Sequence, residues 1–194
     1  MKNGSGKFWL FLRVGALNFA VAIMFISVNQ TVPQAVVLNN FMPIYMEPKP
    51  QEKTIKIGIP NRLVISSLDM DLAVGVGSFD KMSGSWTIDA TKVFYADAST
   101  KTNDTRGTTL IYGHAQWPIF GNLHSIEPQS KAYVDTNNGY RFHYVYQSMK
   151  QVSPTDVSVF RNDGNPTLVL QTCSGAWDAY RSLFSFKLVS VKKI

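Results

Sequence analysis

The pattern of hydrophobic and polar positions divides the chain into three segments. Residues 8–28 are almost continuously apolar, and this length of about twenty residues matches a helix that crosses the hydrocarbon core of a membrane. Residues 29–53 contain four prolines and no clear periodicity, which predicts a linker. From residue 54 to residue 194, short apolar runs alternate with turn residues and predict a single β-rich domain.

Charges around the apolar segment predict its orientation. Lys7 and Arg13 lie at its start, and no acidic residue occurs before Glu47. By the positive-inside rule, the N-terminus stays in the cytoplasm and the chain after Val28 is exported. We therefore predict that residues 1–28 form a cytoplasmic tail and a transmembrane anchor. A cleaved signal peptide is the alternative, although no clear small-x-small cleavage site follows the apolar run.

The segment 54–194 has the pattern of an all-β domain. Its apolar runs are short, several of them alternate with polar residues, and turn sequences such as Asn137-Asn138-Gly139 and 163–166 separate them. Many short strands with few long helical patterns predict a small barrel or sandwich. The predicted strands are 55–59, 63–65, 72–76, 86–88, 108–112, 140–146, 167–172 and 182–191.

Composition narrows the classes of function. The net charge is +6 at pH 7, and no block of Lys and Arg forms a stripe, so we predict no nucleic-acid partner. No carboxylate cluster has the spacing of a calcium site, and we predict no metal or cofactor. The chain has one cysteine, Cys173, which cannot form an internal disulfide. An unpaired thiol in an exported chain is a candidate for reactivity.

Strand geometry predicts where Cys173 points. Alternate residues of a strand share a face, so Leu168, Leu170 and Thr172 face the core while Cys173 faces the other way. In a closed barrel, that other face is the outer wall. A buried free cysteine that packs as a small hydrophobe is the alternative. The leucines on the opposite face favour a thiol in a surface groove at the end of a strand.

His114 is the candidate general acid or base. It follows the strand 108–112 and Gly113, so it is placed to project into a groove. Its strand parity is ambiguous because Leu110 and Ile111 are both apolar, and a purely structural histidine is the alternative. His143 is interpreted as a polar surface position within a strand. His124 follows a loop and has no strand-end geometry.

Arg181 opens the last predicted strand and lies on the face opposite Phe184 and Phe186, on the same side as Cys173. An exposed arginine without a partner is the alternative. A thiolate attacks carbonyls, an imidazole can carry the proton, and a guanidinium can stabilise an oxyanion with several donors in a fixed fork. Together with His114, these residues predict nucleophilic acyl chemistry.

Three segments resemble the sortase family, and the similarity extends from about residue 57 to the C-terminus. Residues 107–114, followed by 120–123, resemble the strand of that family that ends in Gly-His. Leu170-Gln171-Thr172-Cys173 resembles the end of its Thr-Leu-x-Thr-Cys signature, with Val169 at the position of the first threonine. Arg181 follows after a short loop, as the arginine of that family does.

The resemblance implies a fold and a reaction. The fold is a closed eight-stranded β-barrel with short helices in its loops and an active groove on the outer wall. Cys173 attacks a C-terminal sorting signal, of Leu-Pro-x-Thr-Gly type, and forms a thioacyl-enzyme. His114 acts as general acid and base, Arg181 stabilises the oxyanion or positions the substrate, and Thr172 supports the substrate backbone. An amine of a cell-wall precursor or a pilin then resolves the intermediate.

The resemblance also implies a location and partners. We expect a single-pass cell-membrane protein of a Gram-positive-type bacterium, with an extracytoplasmic catalytic domain that acts on surface proteins bearing sorting signals. No apolar span follows the domain, which disfavours the pilus type, and residues 147–166 lack a helical insert, which disfavours the haem-acquisition type. Two other functions stay open. They are a different cysteine acyl-transferase or protease of the envelope, and an inactive anchored binding module whose Cys173 reacts no faster than a free thiol.

Overall fold

The computed structural model describes residues 54–161 and 163–194. The predicted membrane anchor and linker, residues 1–53, lie outside this part of the chain. None of the helices in the described ranges has both the length and the apolar character needed to cross a bilayer. The described residues are almost entirely β-strand, turn and loop, as the sequence predicts.

The described residues form short strands, and a 3₁₀ helix lies between some of them. The strands are β1 (Ile57–Gly58), β2 (Pro60–Ile65), β3 (Met70–Gly77), β4 (Phe79–Asp80), β5 (Ser85–Trp86), β6 (Val93–Ala96), β7 (Thr102–Asn103), β8 (Thr108–Tyr112), β9 (Lys131–Thr136), β10 (Tyr140–Val152), β11 (Thr167–Ser174) and β12 (Tyr180–Lys193). The 3₁₀ helices are Ser66–Leu68, Leu123–Ser125, Ser158–Arg161 and Ala176–Asp178.

Eight of these strands form a closed barrel, which confirms the predicted fold. The order around the barrel is β10–β12–β11–β8–β6–β3–β2–β9, and β9 pairs with β10 to close it. The pairs β3–β6 and β8–β11 are parallel, and the remaining barrel pairs are antiparallel. Closure pairs the strand edges that an open sheet would expose.

The barrel interior holds the main core, and the predicted parity of β11 and β12 is confirmed. Leu168 and Leu170 are fully buried, and Thr172 is 2% exposed. Phe184 and Phe186 on β12 are also buried inside the barrel. Cys173, Val169 and Arg181 therefore lie on the outer side of the same two strands.

A second apolar cluster lies against the outer wall. Phe94, Leu110, Tyr112, Val169 and Leu183 are buried there, although they alternate with residues of the interior core. Their cover comes from elements outside the barrel, namely the β4–β5 hairpin and the 3₁₀ helix Ser158–Arg161, which contribute Trp86 and Phe160. This layer forms the base of a groove.

Two barrel strands, β6 and β9, are absent from the sequence prediction, and two predicted strands are shorter in the structure. The run 55–59 retains strand pairing only at Ile57–Gly58, and the run 86–88 only at Trp86. These short segments belong to the small two-stranded sheets β1–β7 and β4–β5. They lack the barrel neighbours that would extend them.

Candidate active site

A groove with a volume of about 340 Å³ runs along the outer wall of the barrel. Cys173, Thr172 and Gln171 of β11 form one side of it, together with Arg181 of β12 and Gly113 after β8. The other side is largely apolar and consists of Trp86, Ile88, Leu110, Tyr112, Val157 and Phe160. The groove thus combines a nucleophile at one side with a surface suited to aliphatic side chains.

Cys173 and Arg181 face each other across two antiparallel strands. They are direct partners in the register of β11 and β12, between the pairs Thr172–Ser182 and Ser174–Tyr180. Both side chains are partly buried and both line the groove. The structure therefore brings together the thiol and the guanidinium that the sequence places on the same face.

His114 follows the strand on the other side of β11. The parallel register of β8 and β11 ends at the pair Tyr112–Gln171, and the Gly113 N–H donates to the Gln171 carbonyl over 3.1 Å. Extending the same register by two residues along both chains pairs His114 with Cys173. Its side chain is partly exposed. The three predicted catalytic residues thus converge on adjacent strand ends, with Cys173 in the centre.

The structure also resolves the parity of β8 that the sequence leaves open. Ile111 belongs to the interior core, whereas Leu110 and Tyr112 pack on the outer wall. Continuing this alternation places His114 on the outer side, the side of Cys173. The ambiguity arose because the outer wall of β8 is itself buried beneath the β4–β5 hairpin.

Thr172 connects the strand of the nucleophile to the strand of the histidine. Its hydroxyl donates to the Gly113 carbonyl over 2.9 Å, and the side chain lies inside the barrel. Gly113 itself has no room for a side chain, because a Cβ there would come within 2.8 Å of Ile119 and 2.9 Å of Val93. The backbone at Gly113, which separates the strand of Cys173 from His114, is therefore tightly packed.

Arg181 is held by the loop that precedes it. Its Nη1 donates to the carbonyls of Asp178, over 2.9 Å, and Tyr180, over 3.0 Å. Within the described ranges, its Nε and Nη2 make no hydrogen bond, so they are free to donate to a bound molecule. Arg181 thus combines a fixed position with unused donors.

Burial raises the pKa of the Cys173 thiol, the Arg181 guanidinium opposes that rise, and the Asp178 carboxylate adds to it. The thiol is therefore mostly protonated in the free protein at neutral pH. Slow alkylation of the free protein is consequently expected of an active enzyme as well as of an inactive module. Alkylation alone does not separate these two functions.

We expect the alkylation rate of Cys173 to keep rising with pH beyond the range of an ordinary thiol, because only the thiolate reacts and its pKa is raised. Iodoacetamide labelling followed by mass spectrometry measures this rate without ambiguity, since the chain has one cysteine. A small cysteine peptide is the reference. A profile that reaches its plateau at lower pH than the reference would contradict the raised pKa.

Asp89 is a charged neighbour of His114 that the sequence analysis does not single out. Its Oδ1 accepts hydrogen bonds from the hydroxyl and the N–H of Thr91, over 2.6 and 2.7 Å. These hydrogen bonds lower the pKa of Asp89, and the charges of Lys92 and His114 lower it further. In the sequence, Asp89 resembles an ordinary turn residue, and only the fold places it near His114.

The other two histidines lie away from the groove. His124 is in the 3₁₀ helix Leu123–Ser125 and contacts the edge of Phe184, with ring centroids 5.1 Å apart. His143 is within β10, as predicted, but it is partly buried and its Nε2 has no hydrogen-bond partner among the described residues. It is therefore more than a polar surface position. Within residues 54–161 and 163–194, no group of His, Cys, Asp and Glu side chains could hold a metal ion.

A family model described as the sortase domain matches residues 63–189, a range that contains His114, Cys173 and Arg181. The chain belongs to the sortase family. Sortases are cysteine transpeptidases, and this is the activity that family membership assigns to the chain. No curated protein sequence matches the chain.

Solved sortase structures share the fold of this sortase. Sortase E1 from Streptomyces coelicolor, solved with a tripeptide in its active site, aligns with a TM-score of 0.58 at 20% identity over 71% of this chain and 91% of that chain. Sortase A from Listeria monocytogenes aligns with a TM-score of 0.57 at 17% identity, over 72% and 92%. Sortase A from Corynebacterium diphtheriae aligns with a TM-score of 0.56 at 20% identity and 70% coverage of this chain, which spans 62% of that structure.

Proposed function

We propose that the groove transfers an acyl group from a peptide to an amine, with Cys173 as nucleophile, His114 as general acid and base, and Arg181 as the cation that stabilises the oxyanion. One observation carries the proposal. Cys173 pairs directly with Arg181 on β12 and lies beside the end of the His114 strand, on the open side of the groove.

The chemistry follows from these positions. The Cys173 sulfur bonds to the carbonyl carbon of the scissile peptide, and the C–N bond then breaks. His114 takes the proton of the Cys173 thiol as the sulfur attacks and donates it to the leaving amine, which leaves a thioacyl-enzyme and a neutral imidazole. An acceptor amine next attacks the thioester, His114 takes its proton, and the sulfur leaves as a thiolate. Atoms and charge balance, so no cofactor is needed in this sequence.

Arg181 acts in the transition state of each half-reaction. When the carbonyl becomes tetrahedral, its oxygen carries negative charge, and the unused Nε and Nη2 of Arg181 can donate to it or to the substrate backbone. The carbonyls of Asp178 and Tyr180 hold Nη1 and fix the direction of the other two nitrogens. A donor that is positioned before the reaction contributes most of its stabilisation in the transition state.

Thr172 supports the site through its position in β11. Its backbone lines the groove, where it can contact a substrate backbone, and its hydroxyl binds Gly113 instead of facing the groove. We propose that it serves substrate binding mainly by fixing the spacing between Cys173 and His114.

We expect Thr172→Val to lower the free energy of unfolding by about 1–2 kcal/mol, because the buried Gly113 carbonyl loses its donor. Transfer should slow several-fold while the KM for the peptide changes little. Thermal unfolding and steady-state kinetics measure these effects. Thr54→Val, at an exposed position outside the groove, is the matched control and should leave both quantities unchanged. A large rise in KM alone would instead indicate direct binding by the hydroxyl.

The groove fits a sorting signal of the Leu-Pro-x-Thr-Gly type. Its apolar side offers Leu110, Ile88 and Val157 to an aliphatic residue and a proline. Stacking of Trp86 on Phe160, with centroids 6.0 Å apart and an angle of 5° between the rings, joins the two covering elements above that side. The Tyr112 hydroxyl donates to the Thr87 carbonyl over 2.8 Å and so holds the end of the β4–β5 hairpin against β8. The acceptor is an amine of a cell-wall precursor or a pilin.

Location and subclass belong to the same proposal. The apolar segment 8–28 anchors the protein in the cell membrane, residues 29–53 connect it to the domain, and the domain acts outside the cytoplasm of a Gram-positive-type bacterium. The proposed type is not the haem-acquisition type. Between β10 and β11, the only helical turn among the described residues is the 3₁₀ helix Ser158–Arg161, which agrees with the absence of a helical insert.

The test is an amine-dependent transfer assay with the full chain in an uncharged detergent. A library of Leu-Pro-x-Thr-Gly-like peptides is incubated with and without an amine such as triglycine, and products are identified by mass spectrometry. We expect a peptide–amine product and an acyl adduct on Cys173. Hydrolysis that the amine does not divert would identify a protease, and no product with any peptide would favour an inactive binding module.

A further inference from the structure

A second concave site lies on the outer wall formed by β9, β10 and β12, away from the groove. Its volume is about 430 Å³. On β12, the pocket reaches Lys192, eleven residues beyond Arg181, which corresponds to about 36 Å along an extended strand. The residues that line this pocket are Tyr133, Arg141, His143, Ser190, Lys192, Lys193 and Ile194.

The side chains of this pocket are rich in hydrogen-bond donors and positive charge. Lys192 and Lys193 make no ion pair with any described residue, and no Asp or Glu lines the pocket. Arg141 donates through Nε and Nη2 to Asp135, over 2.6 and 2.8 Å, which fixes its guanidinium and leaves Nη1 available. Lys193 pairs with Tyr140 and points to the opposite face of β12, so the pocket presents two cations, Arg141 and Lys192, to any molecule that enters it.

His143 provides an independent indication that something binds here. Its ring stacks on Tyr133, with centroids 4.9 Å apart and an angle of 18° between the rings. Its Nε2 is shielded from solvent and has no hydrogen-bond partner among the described residues. Buried polar atoms are nearly always satisfied, so the unpaired Nε2 of this pocket-lining residue gains a partner if the ring turns toward a bound molecule.

We propose that this pocket binds a phosphate ester, with the phosphate held by Arg141 and Lys192 and its alcohol portion next to the Tyr133–His143 ring pair. Arginine and lysine donate charge-assisted hydrogen bonds to phosphate oxygens, and these are stronger than bonds between neutral groups. A water molecule occupies about 30 Å³ of liquid, so the pocket has room for a phosphate and the group attached to it.

Two sources can supply such a phosphate: a soluble ester or polymer, and a lipid headgroup. The pocket lies at the end of the barrel that carries β1. Asn138 Nδ2 donates to the Ile57 carbonyl over 2.7 Å, and the Ile59 N–H donates to Asn137 Oδ1 over 3.1 Å. The turn that contains these asparagines leads directly to Arg141 on β10.

The charged groups around His143 make the pKa of its imidazole a measurable signal of phosphate binding. Burial lowers the pKa of His143, and the charges of Lys131 and Lys192 lower it further. A bound phosphate favours the protonated imidazole, so the pKa of His143 should rise on binding. The charged and titratable groups near this ring on the three strands are Lys131, Tyr133 and Asp135 of β9, Arg141 of β10, and Lys192 and Lys193 of β12.

The experiment follows the ring signals of His143 by NMR, with the full chain in an uncharged detergent and glycerol 3-phosphate as the probe. His143→Gln assigns the signals among the three histidines of the chain. We expect a saturable shift and a binding constant that weakens at least fivefold in Lys192→Ala. Lys150→Ala removes an exposed lysine of β10 outside the pocket and should bind like the unaltered protein.

A second arm separates the two sources. The same chain is placed in phosphatidylcholine nanodiscs with and without phosphatidylglycerol. A response to the anionic lipid that Lys192→Ala abolishes identifies a lipid phosphate, and a response only to glycerol 3-phosphate identifies a soluble one. The proposal is overturned if neither probe shifts His143, if potassium chloride at equal ionic strength does the same, or if Lys150→Ala weakens binding equally. Peptide transfer by Lys192→Ala should stay unchanged, so this test is independent of the proposed function.

Discussion

Cys173→Ala should abolish peptide transfer, with a loss of at least about a thousandfold, because the groove then has no thiol to form the acyl intermediate. The chain has no second cysteine to substitute for it. Mass spectrometry should show an acyl adduct on the unaltered protein and none on the variant. Because Cys173 lies on the outer wall, the substitution leaves the interior core intact, and the melting temperature should change little.

Cys173→Ser is the companion variant. It keeps the size and a hydroxyl nucleophile but loses the acidity and nucleophilicity of the thiol, so transfer should fall nearly as far. If Cys173→Ala retained transfer at more than a few per cent of the original rate, another residue would be the nucleophile and the proposed function would fail.

Arg181→Lys should lower kcat/KM by about a hundredfold, the usual cost of losing one preorganised oxyanion donor. Lysine keeps the charge but loses the fork, so it cannot donate to the loop carbonyls and to a substrate oxygen together. The pH profile of Cys173 alkylation should change little in this variant, because the positive charge that opposes the rise in the thiol pKa is retained.

Arg181→Ala separates charge from geometry. Without the guanidinium, the pKa of Cys173 should rise further and alkylation at neutral pH should slow, in addition to the loss of transfer. Arg161→Lys is the matched control, since Arg161 is exposed in the 3₁₀ helix that covers the groove. Its transfer rate should stay within about twofold of the original. Equal losses in Arg161→Lys and Arg181→Lys would exclude a specific role for Arg181.

Much of the site could be predicted from strand parity. Leu168 and Leu170 alternate with Val169, and Phe184 alternates with Leu183, so the face of Cys173 and Arg181 follows from the positions of the bulky core residues. Parity works here because a strand in a barrel has only two faces and the interior one is filled by large apolar side chains.

The alternation of apolar and polar residues does not reveal a strand when both of its faces are buried. All four residues of β6 are buried, because Val93 and Tyr95 fill the barrel while Phe94 and Ala96 pack beneath the β4–β5 hairpin. No alternation remains in such a strand, and the run is short. The same double burial made the direction of His114 ambiguous.

β9 was missed for a different reason. Asp135 is the fifth of the six residues of β9. Aspartate is uncommon in strands, so its presence there suggests a loop. In the structure, Asp135 is 6% exposed and pairs with Arg141 on β10 and Arg62 on β2. Arg62 comes from a strand that is distant in sequence, and Arg141 becomes a partner only when β9 and β10 pair, so the pattern around Asp135 gives no sign of them.

The eight cross-strand pairs from Thr167–Lys187 to Ser174–Tyr180 fix the nucleophile and the cation independently of the turn that joins them. That turn contains Trp177, which is 100% exposed, and it adopts left-handed conformations at Trp177 and Asp178. Residues 175–177 can therefore change in sequence while the thiol and guanidinium stay in register, provided that the Asp178 carbonyl still accepts from Arg181 Nη1. Within one scaffold, this separation lets substrate preference diversify while the reaction is conserved, and it marks the hairpin tip as the place to graft new specificities.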